Sequence, residues 1–106
     1  MAKEIKNHDK TVQQVLNAFV QSYGNEHPRA KIEAYRYNPG SIRVRILDPE
    51  FAGKSLGERE NVLWPILESL PEETRMQVSL LLLLTPKEHK HSLGSLEFDD
   101  PTPSLL

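Results

Sequence analysis

The segment FAGKSLGEREN, residues 51–61, comes closer than any other part of the chain to a motif that binds a ligand. Its Gly53-Lys54-Ser55 triplet ends like a Walker phosphate loop, in which backbone amides curl around the phosphates and the lysine reaches them. That loop also requires a glycine at position 48, where this chain has Asp48. Because a carboxylate repels phosphate, the sequence predicts no nucleotide site here.

Ser55 and Glu58 explain the same triplet as the start of a helix. They have the spacing of a capping box, in which each side chain accepts a hydrogen bond from the backbone amide of the other. Gly53 suits a tight approach to that helix, and Phe51 can pack beneath it. The helix entrance is the surface best suited to a protein partner, through four residues: Lys54, Ser55, Arg59 and Glu60.

The histidines that could bind a metal are His89 and His91, an H-x-H pair close in sequence to Asp99 and Asp100. On a strand, both imidazoles would lie on one face and could share an ion. In a flexible tail, the same side chains would be solvated. The chain has no cysteine, which excludes disulfides and thiolate metal sites. We expect no metal and no cofactor.

Basic and aromatic residues lie together in a predicted hairpin. Arg43 and Arg45 share one strand face, with Tyr35 and Tyr37 on the neighbouring strand. Such a surface can bind single-stranded nucleic acid. It can equally be a solvent face on which the arginines pair with Glu33. With 13 basic and 15 acidic residues and a net charge of -2, nucleic acid is not the favoured partner.

No catalytic constellation stands out in the chain. It shows no Ser-His-Asp order, no paired-carboxylate setting and no glycine-rich dinucleotide turn, so we expect no enzyme. The charged N-terminus lacks the apolar run of a signal peptide, and no segment approaches the roughly 20 apolar residues of a membrane span. The sequence therefore predicts a cytoplasmic protein without membrane contact.

The periodicity of apolar residues predicts the elements that position these side chains. Residues 11–23 have apolar side chains at helical spacing, which predicts a helix. Two strand-like runs, 31–37 and 41–48, flank an Asn-Pro-Gly turn and predict a hairpin. A helical stripe follows over 56–70. Pro65 interrupts it at a cost of about 3 kcal/mol, so we expect a kink or two short helices.

A final strand is predicted within residues 76–86, where the run from Leu80 to Leu84 is apolar on both parities and should be covered on both faces. Together these elements predict one α+β domain. It is a small two-layer sandwich of α-β-β-α(α)-β order, with helices on one face of a three-stranded mixed sheet.

At 106 residues the chain fits one domain over 11–88, with a polar lead over 1–10 and an extended tail over 89–106. Leu81 and Leu83 are expected to point away from the helices, so something must cover them. The cover is either a second copy of the chain, in a homodimer, or apolar side chains of the tail: Leu93, Leu96 and Phe98.

The element order and the F-x-G-K-S segment resemble the BolA-like family, small α+β proteins with a type II KH-like topology. The likeness covers residues 42–88. Its matching residues are Phe51, Gly53, Lys54, Ser55, Leu56, Arg59, Leu63, Leu67, Thr85, Pro86 and Glu88. The resemblance implies a regulatory module that pairs with another protein, and it also links the fold to nucleic-acid binding.

The chain departs from the family at the residues that carry its chemistry. The resemblance implies pairing with a monothiol glutaredoxin over an iron-sulfur cluster that histidine ligates. Glu60, Asn61 and Gln77 stand where the family has histidine or a second arginine, and carboxylate and amide groups are poor cluster ligands. Gly53 and Gly57 are one residue too far apart for a KH-type G-x-x-G loop. The sequence predicts a divergent, non-enzymatic adaptor with an unknown protein partner; a nucleic-acid-binding KH-like module is the alternative.

Overall fold

Five α-helices, two short 3-10 helices (Gly24–Glu26 and Pro49–Phe51) and three strands lie within residues 9–105, the part of the chain that the computed structural model describes. In chain order the α-helices and strands are α1 (Lys10–Ser22), β1 (Lys31–Asn38), β2 (Ser41–Leu47), α2 (Leu56–Glu68), α3 (Glu72–Arg75), β3 (Val78–Leu84), α4 (Pro86–His89) and α5 (Leu93–Asp99). The predicted α+β class and its α-β-β-α(α)-β order are confirmed. Residues 1–8 of the predicted polar lead lie outside the described range.

β2 is the central strand of a mixed sheet in the order β1-β2-β3. It pairs antiparallel with β1 through the predicted hairpin and parallel with β3. A parallel pair needs a long crossover connection, which α2 and α3 provide. The alternate β2 residues Ile42, Val44 and Ile46 are fully buried in the core, as the period-2 pattern predicts.

α1 and α2 form the layer that covers this face of the sheet. Asp9 caps α1, because its carboxylate accepts from the N–H groups of Thr11 and Val12, which have no partner within the helix. α2 contributes Leu63 and Leu67 to the same core. The largest fully buried apolar side chains are Phe19, Phe51, Ile32, Ile42, Ile46, Leu63 and Leu83.

Pro65 does not divide α2 into the two short helices that were one predicted outcome. α2 is continuous from Leu56 to Glu68. A proline at position 65 removes the hydrogen bond to the Asn61 carbonyl, but both residues are exposed, so water can satisfy that carbonyl. Neither α2 nor another helix within residues 9–105 has the length and apolar character needed to traverse a bilayer.

The prediction that Leu81 and Leu83 point away from the helices is wrong. Pairing with β2 places Leu81 opposite Val44 and Leu83 opposite Ile46, which face the helices. Leu83 is 1% exposed, and Leu81 packs against the core. Because this run is apolar on both parities, its own sequence does not fix which side faces inward; the register with β2 does. The predicted dimerisation face therefore lies on the interior side of the sheet.

The prediction of an extended tail over residues 89–106 is wrong for the part that forms the end of α4 and α5, whereas residues 101–105 have no helix or strand. α4 begins with a capping box in which Thr85 and Glu88 exchange side-chain to backbone hydrogen bonds. α5 is capped by Ser92, whose hydroxyl accepts from the Ser95 amide. These polar caps start short helices in a segment that has too little apolar periodicity to reveal them.

α5 lies against the second face of the sheet and supplies the cover that this face needs. Phe98 is 4% exposed, and its ring meets the Tyr35 ring edge-on at 4.8 Å between centroids. The Tyr35 hydroxyl donates to the Phe98 carbonyl at 2.8 Å. Of the three apolar tail residues predicted to form the cover, Phe98 is buried, whereas Leu93 and Leu96 are exposed.

Candidate functional site

The segment that leads into α2 is built as a helix start. Gly53 has φ +79, a left-handed conformation that favours glycine. Beyond this turn, the Ser55 hydroxyl accepts from the Glu58 amide at 3.2 Å, and the Glu58 carboxylate accepts from the Ser55 amide at 2.7 Å. The predicted capping box is confirmed. The glycine and serine of the Gly-Lys-Ser triplet thus have structural roles.

Arg59 extends from α2 into the fold, although the sequence placed it on the partner surface. It is 7% exposed, and it donates to both carboxylate oxygens of Glu88 at 2.7 and 2.9 Å and to the Lys54 carbonyl at 3.0 Å. These guanidinium bonds, with the Thr85 amide, lower the pKa of Glu88 to about 2. Arg59 is therefore occupied within the domain.

Arg59 also caps one position on the outer edge of β3. The Leu84 carbonyl accepts from the Asp48 amide, so the Leu84 backbone faces β2 and that of its neighbour Leu83 faces outward. Arg59 donates to this outward Leu83 carbonyl at 2.9 Å. An apolar edge strand is prone to pair with other chains, and the guanidinium blocks one of its acceptors.

The solvent side of α2 carries an apolar and acidic surface. Leu56, Glu60 and Trp64 are four residues apart, so they lie on one side of the helix, and Asn61 and Pro65 adjoin them. Trp64 is 49% exposed and Leu56 59% exposed. Glu60, Asn61, Trp64 and Pro65 line a surface depression. We call these five residues the α2 surface.

Of the predicted partner residues, Glu60 lies in the α2 surface, while Lys54 and Ser55 are exposed just before α2 begins. Trp64 was missed, because its apolar side chain fits a core run. The helical spacing of the buried residues Arg59 and Leu63 contained the necessary signal, since Trp64 lies about 100° around the helix from Leu63.

The basic and aromatic face predicted for nucleic acid is covered by the tail. Arg43 donates to Glu97 at 3.0 Å and lies over the Tyr37 ring at 3.6 Å. The Tyr37 hydroxyl donates to the Thr102 carbonyl. The Thr102 amide and Arg43 lower the pKa of Glu97, which keeps it ionised. With Tyr35 bound to the Phe98 carbonyl, both tyrosines and Arg43 contact the tail.

Arg45 is the most deeply buried member of that face. It is 3% exposed and donates to both oxygens of Glu33, at 2.9 and 3.0 Å, across the hairpin. It also donates to Asp99 at 2.9 Å and to the Ser95 hydroxyl at 2.8 Å. The predicted pairing with Glu33 is present, but on a buried face. Nucleic acid could reach this face only if the tail were displaced.

Four side chains meet at the end of the hairpin. Asp48 is fully buried; one of its oxygens accepts from the Tyr23 hydroxyl at 2.6 Å and the other from the Glu50 amide at 2.9 Å. The Tyr23 and His27 rings stack at 3.9 Å between centroids. Burial and the acceptor Asp48 raise the pKa of Tyr23, so its hydroxyl remains a donor.

His27 gave no signal in the sequence because its partners are distant along the chain. The hairpin register, which pairs Lys31 with Leu47, brings the residues that flank its two strands together. The predicted histidine pair behaves differently: His89 binds the Ser95 hydroxyl, and His91 is exposed beyond α4. Within residues 9–105, neither belongs to a group of three metal-ligand side chains.

Comparisons of the chain with protein-family models, with curated proteins and with solved structures find no match. The resemblance to the BolA-like family therefore stays a prediction. The structure defines the class: an α+β domain with a three-stranded mixed sheet. In this domain the tail covers one sheet face and α2 presents an exposed apolar surface.

Proposed function

We propose that this domain is a non-enzymatic protein-binding module and that the α2 surface is its docking site. The observation that carries the proposal is the exposure of Trp64 beside a depression lined by Glu60, Asn61 and Pro65. Tryptophan is enriched among the residues that contribute most to protein-protein binding. Contiguous exposed apolar surface on a folded domain usually marks a contact.

The charges on α2 indicate the chemistry of the partner. Its exposed ionisable side chains, Glu58, Glu60 and Glu68, are all acidic, and its one basic residue, Arg59, is buried against Glu88. Complementary charge directs association and disfavours wrong partners. We therefore assign the partner as a protein with an apolar groove for Trp64 and a rim of lysine or arginine side chains.

We also keep the BolA-like relationship as a proposal, with the chain as a divergent member that lacks the family's cluster chemistry. Its element order and its F-x-G-K-S helix start support this. At one family histidine position, Gln77 accepts a hydrogen bond from Arg36 at 2.9 Å. At the other, Glu60 is an exposed carboxylate. An adaptor role through the α2 surface does not require the cluster.

Affinity capture with quantitative mass spectrometry tests this proposal. The full chain is immobilised and exposed to extract, alongside Trp64→Ala, Glu60→Lys and the control Met76→Ala. Met76 is 73% exposed and lies outside α2, so its variant removes a comparable exposed apolar side chain elsewhere. We expect a partner whose recovery falls at least ten-fold with both α2 variants, because one removes the central contact and the other reverses a rim charge.

Two results would contradict the proposal. One is a partner recovered equally by wild type, Trp64→Ala and Glu60→Lys, which would place the docking site elsewhere. The other is a partner lost to the same extent with Met76→Ala. Thermal unfolding of each variant confirms that it is folded, as expected for substitutions at exposed positions.

A further inference from the structure

His27, Asp48 and Glu50 bring one imidazole nitrogen and two carboxylate oxygens together where the hairpin closes. Their ligand atoms all lie within 4.8 Å of one another. His27 Nδ1 is 3.2 Å from a Glu50 oxygen and 3.6 Å from Asp48 Oδ2. We propose that these three residues form a binding site for a first-row divalent metal ion such as Zn²⁺.

Two of the three distances among the ligand atoms agree with coordination of a single ion. Zinc binds imidazole nitrogen and carboxylate oxygen at about 2.0–2.2 Å, so two ligands at angles between 90° and 120° lie about 3.0–3.6 Å apart. The two distances from His27 Nδ1 fall in this range. The carboxylate oxygens of Asp48 and Glu50 lie up to 4.8 Å apart, and two ligands of one zinc ion span at most about 4.4 Å, so the ion draws in the Glu50 side chain, which is 39% exposed.

The state of His27 Nδ1 is an independent reason to expect a ligand. This atom is buried and makes no hydrogen bond, even though two carboxylates are near. Buried polar atoms in folded proteins nearly always have a partner. An ion held between Nδ1 and the carboxylates would accept the lone pair of Nδ1 and would compensate the negative charge of the carboxylates.

The surroundings of the cluster hold its ligands in place. The Glu50 amide occupies Asp48 Oδ1, and the Tyr23 hydroxyl binds Oδ2 while leaving it a second lone pair. Tyr23 also stacks on the His27 ring and limits its rotation. Hydrogen bonds to ligating carboxylates are typical of metal sites. Imidazole with two carboxylates favours zinc, manganese or iron(II).

Calorimetric titration of the chelator-treated full chain with Zn²⁺ tests the proposal. We expect one ion per chain, with affinity at least ten-fold weaker in His27→Gln and in Glu50→Gln. His91→Gln is the matched control, because it removes an exposed imidazole outside the cluster, and its affinity should equal that of wild type. Co²⁺ gives a second readout, since visible absorption bands report coordination by nitrogen and oxygen.

Absence of saturable Zn²⁺ binding to the wild-type chain would overturn the proposal and leave the cluster as a histidine-carboxylate ion pair. Binding that survives both His27→Gln and Glu50→Gln would overturn it as well. Because Glu50 is exposed, its variant should fold even if His27→Gln loses the stacking on Tyr23. Neither result bears on docking through the α2 surface.

Discussion

Replacement of Arg45 by methionine tests the buried ion pair that lies between the sheet face and the tail that covers it. The change removes two hydrogen bonds to Glu33, which is 1% exposed, together with those to Asp99 and Ser95. Removal of one partner from a buried ion pair costs about 3–5 kcal/mol. Asp99 is 44% exposed, so its contact adds at most about 1 kcal/mol.

We therefore expect Arg45→Met to lower the free energy of unfolding by about 3–5 kcal/mol, a large part of the 5–15 kcal/mol typical of a whole domain. The assay is urea unfolding followed by circular dichroism. Arg43→Met is the control. The Arg43 side chain is 15% exposed and its partner Glu97 is 37% exposed, so we expect a loss below about 1.5 kcal/mol.

The double variant Arg45→Met/Glu33→Leu separates charge burial from packing. It replaces the buried pair by apolar groups, so its stability should return to within about 1 kcal/mol of wild type. A loss below about 1 kcal/mol for Arg45→Met alone would contradict the burial of this ion pair, because it would mean that water reaches Glu33. So would a double variant as unstable as the single one.

Two further predictions concern the ends of helices. The pKa of Glu88 is about 2 in the folded protein against 4.5 unperturbed, so its stabilisation is present above pH 4.5 and is lost as the pH falls through 2. Because Glu88 is 44% exposed, urea unfolding should show Glu88→Gln less stable than wild type by only about 1–2 kcal/mol at pH 7, and this difference should narrow towards pH 2. A difference that stays constant with pH would contradict the ion pair between Glu88 and Arg59. Gly53→Ala should destabilise the protein by about 1–2 kcal/mol in thermal unfolding, because Gly53 has a positive φ. Gly57→Ala is the control: position 57 lies inside α2 with open space for a Cβ, so this variant should not destabilise the protein. Equal effects of the two variants would contradict the left-handed turn at Gly53.

The elements with one apolar face could be predicted from the sequence. α1, the hairpin and the Ser55 helix start each have a local signal, either a single periodicity or a cap. The orientation of β3 could not be predicted, because Leu80 to Leu84 are apolar on both parities and pairing with β2 decides which side faces the core. The result is that the two leucines assigned to a dimer interface face the helices.

The candidate sites depend on contacts between distant residues, which local pattern does not encode. The tail looked extended, yet Arg45 and Phe98, 53 positions apart, meet with the guanidinium 4.4 Å from the ring centroid. His27 reaches Asp48 only because the hairpin register closes that end. The sequence could have shown that Trp64 is exposed. The buried side of α2 passes through Leu63 and Leu67, and Trp64, one position after Leu63, does not lie on that side.

The most direct test of docking through the α2 surface uses Trp64 as a reporter, because it is the sole tryptophan of the chain. The partner recovered by affinity capture, or a tryptophan-free variant of it, is titrated into the protein while tryptophan emission and acrylamide quenching are recorded. Docking through the α2 surface should shift the emission to shorter wavelength and weaken the quenching several-fold, because the half-exposed indole enters the partner's groove. Saturable binding with unchanged emission and unchanged quenching would contradict it.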